Sequence, residues 1–539
     1  MKNKISALKI NRNYIFVIFF VLIVLYSLFI YKDFGVSLDE EIQYTHLKVS
    51  AKKIFSTLGI LEKAPESVKE AQDIEEYENK YYGVSAQYPL IFLEYFPETH
   101  GPDTPNFWFV RHLYVRIAFI FAGVCFYLIL KDIIKSNSLL LLGLILFFFH
   151  PRISAHSFYN IKDSLFLSFF TISTYYLFKC IKNRKITNLI TFSILTAITI
   201  NIRMMGILLP VYFGFWLLLN IKNNFKETLK TAVIFLIFTF LFLYIIWPAL
   251  WGNPVNVLKE VFQTFSNYTG WDEYIVYAGE IIRGQELPVE YLPVWIAISS
   301  PLGYLLVFIL GLFLTPFILF KLFKSKELGY KFHVLLFSLY TVLLSYGAII
   351  FFNSTLYGDW RHLYYIYTSL VLMGVLGLDF LLEKNVKLFY VSVSFIVLSL
   401  FSSFVWMKKN HPHYYVYFNV FARKDWDYKW ERDYWRLSTK QLLEEFIEIN
   451  NIPNSDDKYI FRGSYGGELN SYLLPPEIRD KLIFTQQYDE AQYLIGTYTN
   501  VIGEYPENNF EGFEEYLSVK VDGKKIMTVF KKVENFEVN

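Results

Sequence analysis

Charge is what this chain has least of. Only 19% of its 539 residues are Asp, Glu, Lys or Arg while 54% are hydrophobic, against a charged share of roughly 25% in ordinary soluble domains. Such a chain belongs in a bilayer. Net charge is sparse too: 51 Lys and Arg against 49 Asp and Glu leave +2. No dense Lys/Arg stripe of the kind that tracks phosphate backbones is present, which excludes nucleic acid as a partner. The two cysteines, Cys125 and Cys180, are too few for a disulfide framework, a metal knuckle or thiol catalysis. No His-x-x-His or His/Cys spacing selects a metal. No small-residue cleavage site follows the first apolar run, Tyr14 to Tyr31, so that run is expected to stay as an anchor.

Apolar and aromatic residues are abundant. The 54 Phe and 42 Tyr suit lipid-facing surface and interfacial belts. A helix crossing about 30 Å of hydrocarbon needs about 17 to 25 residues, and about eleven such runs can be placed. They centre in Tyr14 to Tyr31, Trp108 to Leu130, Ser138 to His150, Ser164 to Phe178, Ile186 to Ile200, Met204 to Leu219, Thr231 to Trp247, Pro301 to Phe320, Phe332 to Phe352, Leu363 to Leu382 and Leu388 to Met407. The third and fifth are short and read as spans or as buried half-spans. Lysine-rich connections mark the cytoplasmic side. The N-terminus, Lys131/Lys135, Lys179 to Lys185, Lys222 to Lys230, Lys321 to Lys331 and Lys384/Lys387 fall on alternate loops. This predicts a multi-pass plasma-membrane protein with its N-terminus inside and its C-terminus outside.

The other set of loops differs chemically. It gathers Asp39-Glu40-Glu41, His150-Pro151-Arg152, His156, Asn160, Lys162-Asp163, Asn201, Arg203, Trp271-Asp272-Glu273 and Asp359-Trp360-Arg361-His362 on one predicted face. Outer loops that are merely polar are the plain alternative. Two segments predict helices on the membrane surface. One follows Asp39, with Ile42, Thr45/His46, Val49, Ile54, Phe55 and Leu58 as a one-sided pattern. The other starts at Asn253-Pro254, a cap and a first-turn proline. They lie in outer stretches of about residues 31–107 and 249–300, within a transmembrane catalytic domain, 1–407.

From residue 408 to 539 no spanning run occurs. The spacing there predicts a helix over Ser438 to Asn450, strands over Tyr459 to Arg462, Leu482 to Thr485 and Tyr493 to Thr497, and a hairpin over Val519 to Ile526 turned by Asp522-Gly523. This reads as a small extracytoplasmic α/β domain without a nucleotide loop.

Carboxylates at the edge of hydrocarbon are costly, so a cluster there is either solvated headgroup chemistry or an active site. Ser37-Leu38-Asp39-Glu40 also fits a capping box, which accounts for Ser37 and Glu40 and leaves Asp39 free. Arg152, Lys162, Arg203 and Arg361 could hold phosphate through charge-assisted bonds. Alternatively, Lys162 or Arg152 pairs with Asp163 to seal a loop, and Arg203 and Arg361 snorkel. His156, Asn160 and His362 are further pocket candidates.

Gly35 to Glu41, His150 to Asp163, Tyr277 to Glu280, Leu287 to Pro301, Tyr357 to His362 and His411 to Asn419 resemble bacterial members of glycosyltransferase family 39. These are relatives of the dolichyl-phosphate-mannose protein mannosyltransferases and of the lipid A aminoarabinose transferase. The resemblance implies a C-type glycosyltransferase fold with an extracytoplasmic active site, a polyprenyl-phosphate sugar donor, and inversion at the anomeric carbon. It implies Asp39 as the base for the acceptor hydroxyl, Asp163 as the second acid, and Lys162 and Arg361 as donor-phosphate ligands; Glu40, beside Asp39, is a further catalytic candidate. Because the motif reads Asp-Glu-Glu, without the Asp-x-Asp that holds metal in some C-type enzymes, a divalent cation is left open. The acceptor, whether protein, lipid or glycan, does not transfer. A transporter or flippase would place ionisable residues near the midplane, often with repeat symmetry, whereas the spans here read as almost free of charge. An outer-face glycan ligase shares the same logic.

Overall fold

The computed structural model describes residues 12–222, 224–266, 272–463, 465–506 and 509–533. Lys2, Lys4 and Lys9 of the predicted inner N-terminus, and Trp271, lie outside them. All eleven apolar runs are helical. In chain order the helices are α1 (Arg12–Ile30), α2 (Leu38–Thr57), α3 (Glu66–Lys69), α4 (Pro105–Lys131), α5 (Asn137–Phe148), α6 (Pro151–Tyr159), α7 (Asp163–Lys182), α8 (Ile186–Ile202), α9 (Leu208–Asn220) and α10 (Phe225–Ile246). There follow α11 (Pro254–Ser266), α12 (Tyr291–Ser299), α13 (Leu302–Lys324), α14 (Tyr330–Phe352), α15 (Ile366–Lys384), α16 (Val386–Lys409), α17 (Trp426–Lys429), α18 (Thr439–Ile449), α19 (Tyr465–Ser471) and α20 (Pro476–Arg479). Among the described residues seven helices are long and apolar enough to cross a membrane: α4, α7, α10, α13, α14, α15 and α16. The pair α5 and α6 reaches that length together but bends by 59°, and α1, α8 and the stretch from Met204 to Asn220 are shorter apolar helices. The protein is a polytopic helical membrane bundle carrying a small C-terminal α/β domain.

The bend between α5 and α6 corrects one expectation. His150 to Asn160 reads from sequence as a short outer loop, yet every residue of α6 is buried. Pro151 at the first helical position has no N–H to lose and starts the helix. Small Ser154, Ala155 and Ser157 then let it sink into the bundle. A second correction concerns α2, whose buried face is Glu40, Gln43, Tyr44, His46, Leu47, Val49, Ser50 and Ala51, leaving Ile42 and Leu58 exposed. The segment 61–104 folds over α2 and satisfies that face, with Tyr44 Oη donating to Glu94 (2.9 Å) and His46 Nδ1 bonded to Tyr77 Oη (2.6 Å). The spans are also less free of charge than the sequence reading has them. Helix α4 buries Arg111, His112 and Arg116. Arg111 lies on the Tyr44 and Phe107 rings, and Arg116 bonds Ser27 and Ser157.

Strands β1 (Tyr274–Tyr277) and β2 (Glu280–Arg283) form a hairpin between α11 and α12. Strands β3 (Tyr459–Gly463), β4 (Leu482–Thr485), β5 (Tyr493–Thr497), β6 (Phe513–Val521) and β7 (Lys524–Lys532) make one sheet in the order β4-β3-β5-β7-β6. The predicted hairpin is β6–β7, and its turn residues Asp522 (φ 50°) and Gly523 (φ 81°) both take the positive φ of an Asp-Gly hairpin turn. Helix α18 packs its Leu442, Leu443 and Phe446 against this sheet.

Candidate active site

Four separate chain segments end at one place. Ser37 caps α2 and shares a capping box with Glu40, whose Oε2 accepts from Ser37 N (2.7 Å) and Ser37 Oγ (3.0 Å). That fixes the first turn and turns Asp39 away from Glu40. Lys162 and Asp163 stand at the start of α7. Asn201 and Arg203 stand at the end of α8. Arg361 and His362 follow Gly358 and Asp359, which take positive φ of 62° and 68° and so bend the chain back into the bundle. Both carboxylates sit in the first turn of a helix, where the macrodipole favours negative charge.

Most of these side chains face a cavity of about 330 Å³, within the size range of small-molecule sites; Asp163 stands behind its lining. One end is polar: Asp39, Lys162, Asn201, Arg203, Arg361 and His362. The flank is apolar, with Met204, Ile207, Trp247, Phe262, Ile349 and Phe352. It runs outward to Ile207 and Phe262, which are 47% and 59% exposed. The cavity therefore joins a charged head to an open hydrocarbon-like wall.

Arg361 is the hub of the polar end. Its Nη1 donates to Asp39 Oδ2 (2.8 Å) and Asp163 Oδ2 (3.3 Å), and its Nη2 to Tyr434 Oη (3.3 Å). Its guanidinium also rests on the Tyr357, Tyr434 and Trp435 rings. Asp163, 1% exposed, accepts further bonds from Arg203 and from Asn160 Nδ2 (3.0 Å). Neither sealing pair weighed from sequence forms: Arg152 pairs with Asp359 (2.9 Å), and no ion pair of Lys162 is found among the described residues. Lys162 Nζ instead lies 3.9 Å from the Tyr82 ring centre. Tyr82 is stacked in turn on His46, whose pKa burial, and then the Lys162 charge, hold down at about 3, so the stack is neutral. Burial, and after it the Arg203 charge, push the Lys162 ammonium down to about 7. His362 is held well below its ordinary value by burial and Arg361. Three cations thus face two carboxylates.

The remaining predicted residues stand behind this layer. Glu40 closes the capping box of Ser37 and lies 3.0 Å from His112 Nε2, outside the cavity lining. Arg152, His156 and Asn160 form a directed network instead. Asn160 Oδ1 accepts from the Lys162 and Asp163 amides, so its Nδ2 is the donor to Asp163 and to His156 Nδ1 (3.1 Å). His156 therefore carries its proton on Nε2, facing Tyr364 Oη (3.1 Å), which donates to Asp359, the partner of Arg152. This network fixes Asp163 from behind. Beyond it lies Glu431, raised to about 8 by burial and by Asp359. Among the described residues no group of three His, Cys, Asp or Glu side chains is arranged to hold a metal ion.

Sequence reasoning missed Tyr82, Tyr434 and Trp435. Gly83 offered one signal: a Cβ there would meet Asn201 O at 1.9 Å, so the segment can press against α8 only with glycine. Tyr434, 73 residues from Arg361, offered none.

No protein-family model matches the chain, and no curated protein matches it. Among solved structures, two crystal structures of ArnT from Cupriavidus metallidurans, one in the apo state and one bound to undecaprenyl phosphate, are similar to it. They correspond over 95% of this chain and 97% and 98% of theirs, at 10% sequence identity and a TM-score of 0.46.

Proposed function

We propose that the protein is a C-type glycosyltransferase that moves a sugar from a polyprenyl-phosphate donor to an acceptor hydroxyl on the extracytoplasmic face of the membrane, with inversion. The observation that carries this reading is the polar end of the cavity, where among the described residues Lys162 has no ion pair and two buried atoms, Asn201 Nδ2 and Arg203 Nε, have no hydrogen-bond partner. Buried donors without partners are costly, and an anionic phosphate supplies what they lack. The exposed apolar wall through Ile207 and Phe262 gives a prenyl chain a path from the lipid. Basic last-turn residues Lys131, Lys182, Lys324 and Lys384 lie at the far ends of α4, α7, α13 and α15. By the positive-inside tendency that end faces the cytoplasm.

In the reaction the acceptor oxygen attacks the anomeric carbon while the bond from that carbon to the phosphate oxygen breaks. The acceptor proton passes to Asp39, a quarter of whose side chain is exposed at the cavity. The departing lipid phosphate takes the electron pair of the broken bond and gains a second negative charge, which Lys162 and Arg203 face; this is electrostatic stabilisation of a leaving group. Arg361 ties the base to Asp163, so base and phosphate ligands keep one spacing. A positioned general base contributes about 10²- to 10⁴-fold. Asp39→Asn is therefore expected to lose at least that much transfer in membranes while expression holds. Near-normal transfer by that variant overturns the proposal. Supplying polyprenyl-phosphate monosaccharides against lipid-linked oligosaccharides separates this reading from a glycan ligase.

A further inference from the structure

One contact of the C-terminal domain with the bundle falls on backbone close to Asp39. Asn470, in α19, accepts a hydrogen bond from Val36 N (2.9 Å) and donates one to Val36 O (3.1 Å) across 434 residues of sequence, and donates a third to Gly466 O (2.9 Å). The three bonds fix the orientation of the carboxamide, since reversing it would set its NH2 against the Val36 N–H and its oxygen against two carbonyls. Asn470 is 1% exposed and Val36 fully buried, so no water can take over either bond. The preceding residue confirms how close the approach is. A Cβ on Gly35 would stand 2.4 Å from Leu437 O and 2.6 Å from Asn470 Oδ1, closer than real Cβ atoms come. Lys440 Nζ adds a bond to Asp33 O (3.3 Å).

We infer that Asn470 is a positioning residue for Asp39: through Val36 it holds the N-terminus of α2, making the C-terminal domain a working part of the site. Val36 is followed directly by the cap Ser37, and Asp39 is in the first turn that the cap starts. A helix end free to shift would carry the carboxylate off its line to the acceptor hydroxyl. Misplacement by about 1 Å costs on the order of 10²-fold in rate. Lys162 starts α7, Asn201 ends α8 and Arg203 follows it, while Asn470 bonds to Val36 and Gly466, so donor binding should change little. The inference rests on the proposed role of Asp39.

The test uses full-length protein in detergent or nanodiscs, with Asn470→Asp, Asn470→Ala, Gly35→Ala and Asp39→Asn side by side. Asn470→Asp keeps the shape but sets a carboxylate oxygen against two carbonyls. The expected result is a fall in kcat on the order of 10²-fold in the Asn470 and Gly35 variants, with donor KM within twofold of wild type. Faster deuterium exchange of residues 33–38 accompanies it, while α7 and α8 stay unchanged. A normal kcat in folded Asn470 variants beside a dead Asp39→Asn overturns the inference alone. An active Asp39→Asn overturns the functional reading instead. Equal losses in kcat and donor binding, or failure of both Asn470 variants to accumulate as folded protein, make Asn470 a folding residue and also overturn the inference.

Discussion

Replacing Lys162 by Met removes the cavity-head cation for which no ion pair is found among the described residues, while keeping its length and apolar stem. If the donor phosphate accepts a charge-assisted hydrogen bond from Nζ, its loss costs about 1.5–3 kcal/mol. At about 1.4 kcal/mol per decade, donor affinity falls roughly 10- to 150-fold. The pH dependence is a sharper signature. Burial, then the Arg203 charge, set the free Lys162 pKa at about 7, and only the protonated form pairs with phosphate. A phosphodiester donor has a fixed charge, so of the donor phosphate and its proposed ligands only the lysine titrates in this range. With one group charged below its pKa, Lys162 is about nine-tenths protonated at pH 6 and about one-tenth at pH 8. Donor binding takes up a proton, and wild-type affinity should weaken by about tenfold between pH 6 and pH 8, most of it above pH 7. Lys162→Met should be flat over the same range, and the gap between the two proteins should close as pH rises. The assay is binding of a polyprenyl phosphosugar to purified protein at pH 6, 7 and 8. Unchanged affinity in Lys162→Met, or a flat wild-type profile, refutes the reasoning.

The other predictions concern the supporting layer. Arg361→Lys keeps the charge but loses the planar fork that joins Asp39, Asp163 and Tyr434; transfer should drop at least tenfold with little change in donor KM, read by steady-state kinetics. Asn160→Ala leaves His156 Nδ1 and one Asp163 bond unmade, and thermal unfolding in detergent should report a loss of about 1–3 kcal/mol. Gly83→Ala drives a Cβ into the Asn201 carbonyl and should lower both expression and transfer, measured in membranes. Glu431 binds its proton more tightly in the folded state, with a pKa of about 8. Between the ordinary carboxylate range and that value the unfolded chain holds fewer protons, so its contribution to stability declines as pH rises. Glu431→Gln should be stabilised relative to wild type at pH 8 and nearly level with it at pH 4.5, by melting temperature.

The long-range architecture was legible where the signal was local. Eleven apolar runs gave eleven helical stretches because hydrocarbon leaves the backbone no other way to satisfy itself. The capping box at Ser37 and the Asp522-Gly523 turn were readable because each rests on chemistry within four residues. The gathering of Asp39, Lys162, Asp163, Arg203 and Arg361 followed from loop parity. Their pairing did not, because parity says which end a residue occupies and nothing about its neighbours. The buried α6 reads as polar because its Arg152 and His156 side chains are satisfied by groups far along the chain, Asp359 and Tyr364. The face of α2 was misjudged for the same reason, since Glu94 and Tyr77 make its polar side the buried one. Tyr434 and Asn470 act through contacts that no periodicity encodes.

The most direct test of the account is a structure of the protein with bound polyprenyl phosphate. It should place the phosphate oxygens within about 3 Å of Lys162 Nζ and Asn201 Nδ2, with the prenyl chain leaving along Ile207, Phe262 and Phe352. A phosphate bound at the opposite end of the bundle, near Lys131 and Lys182, would contradict it.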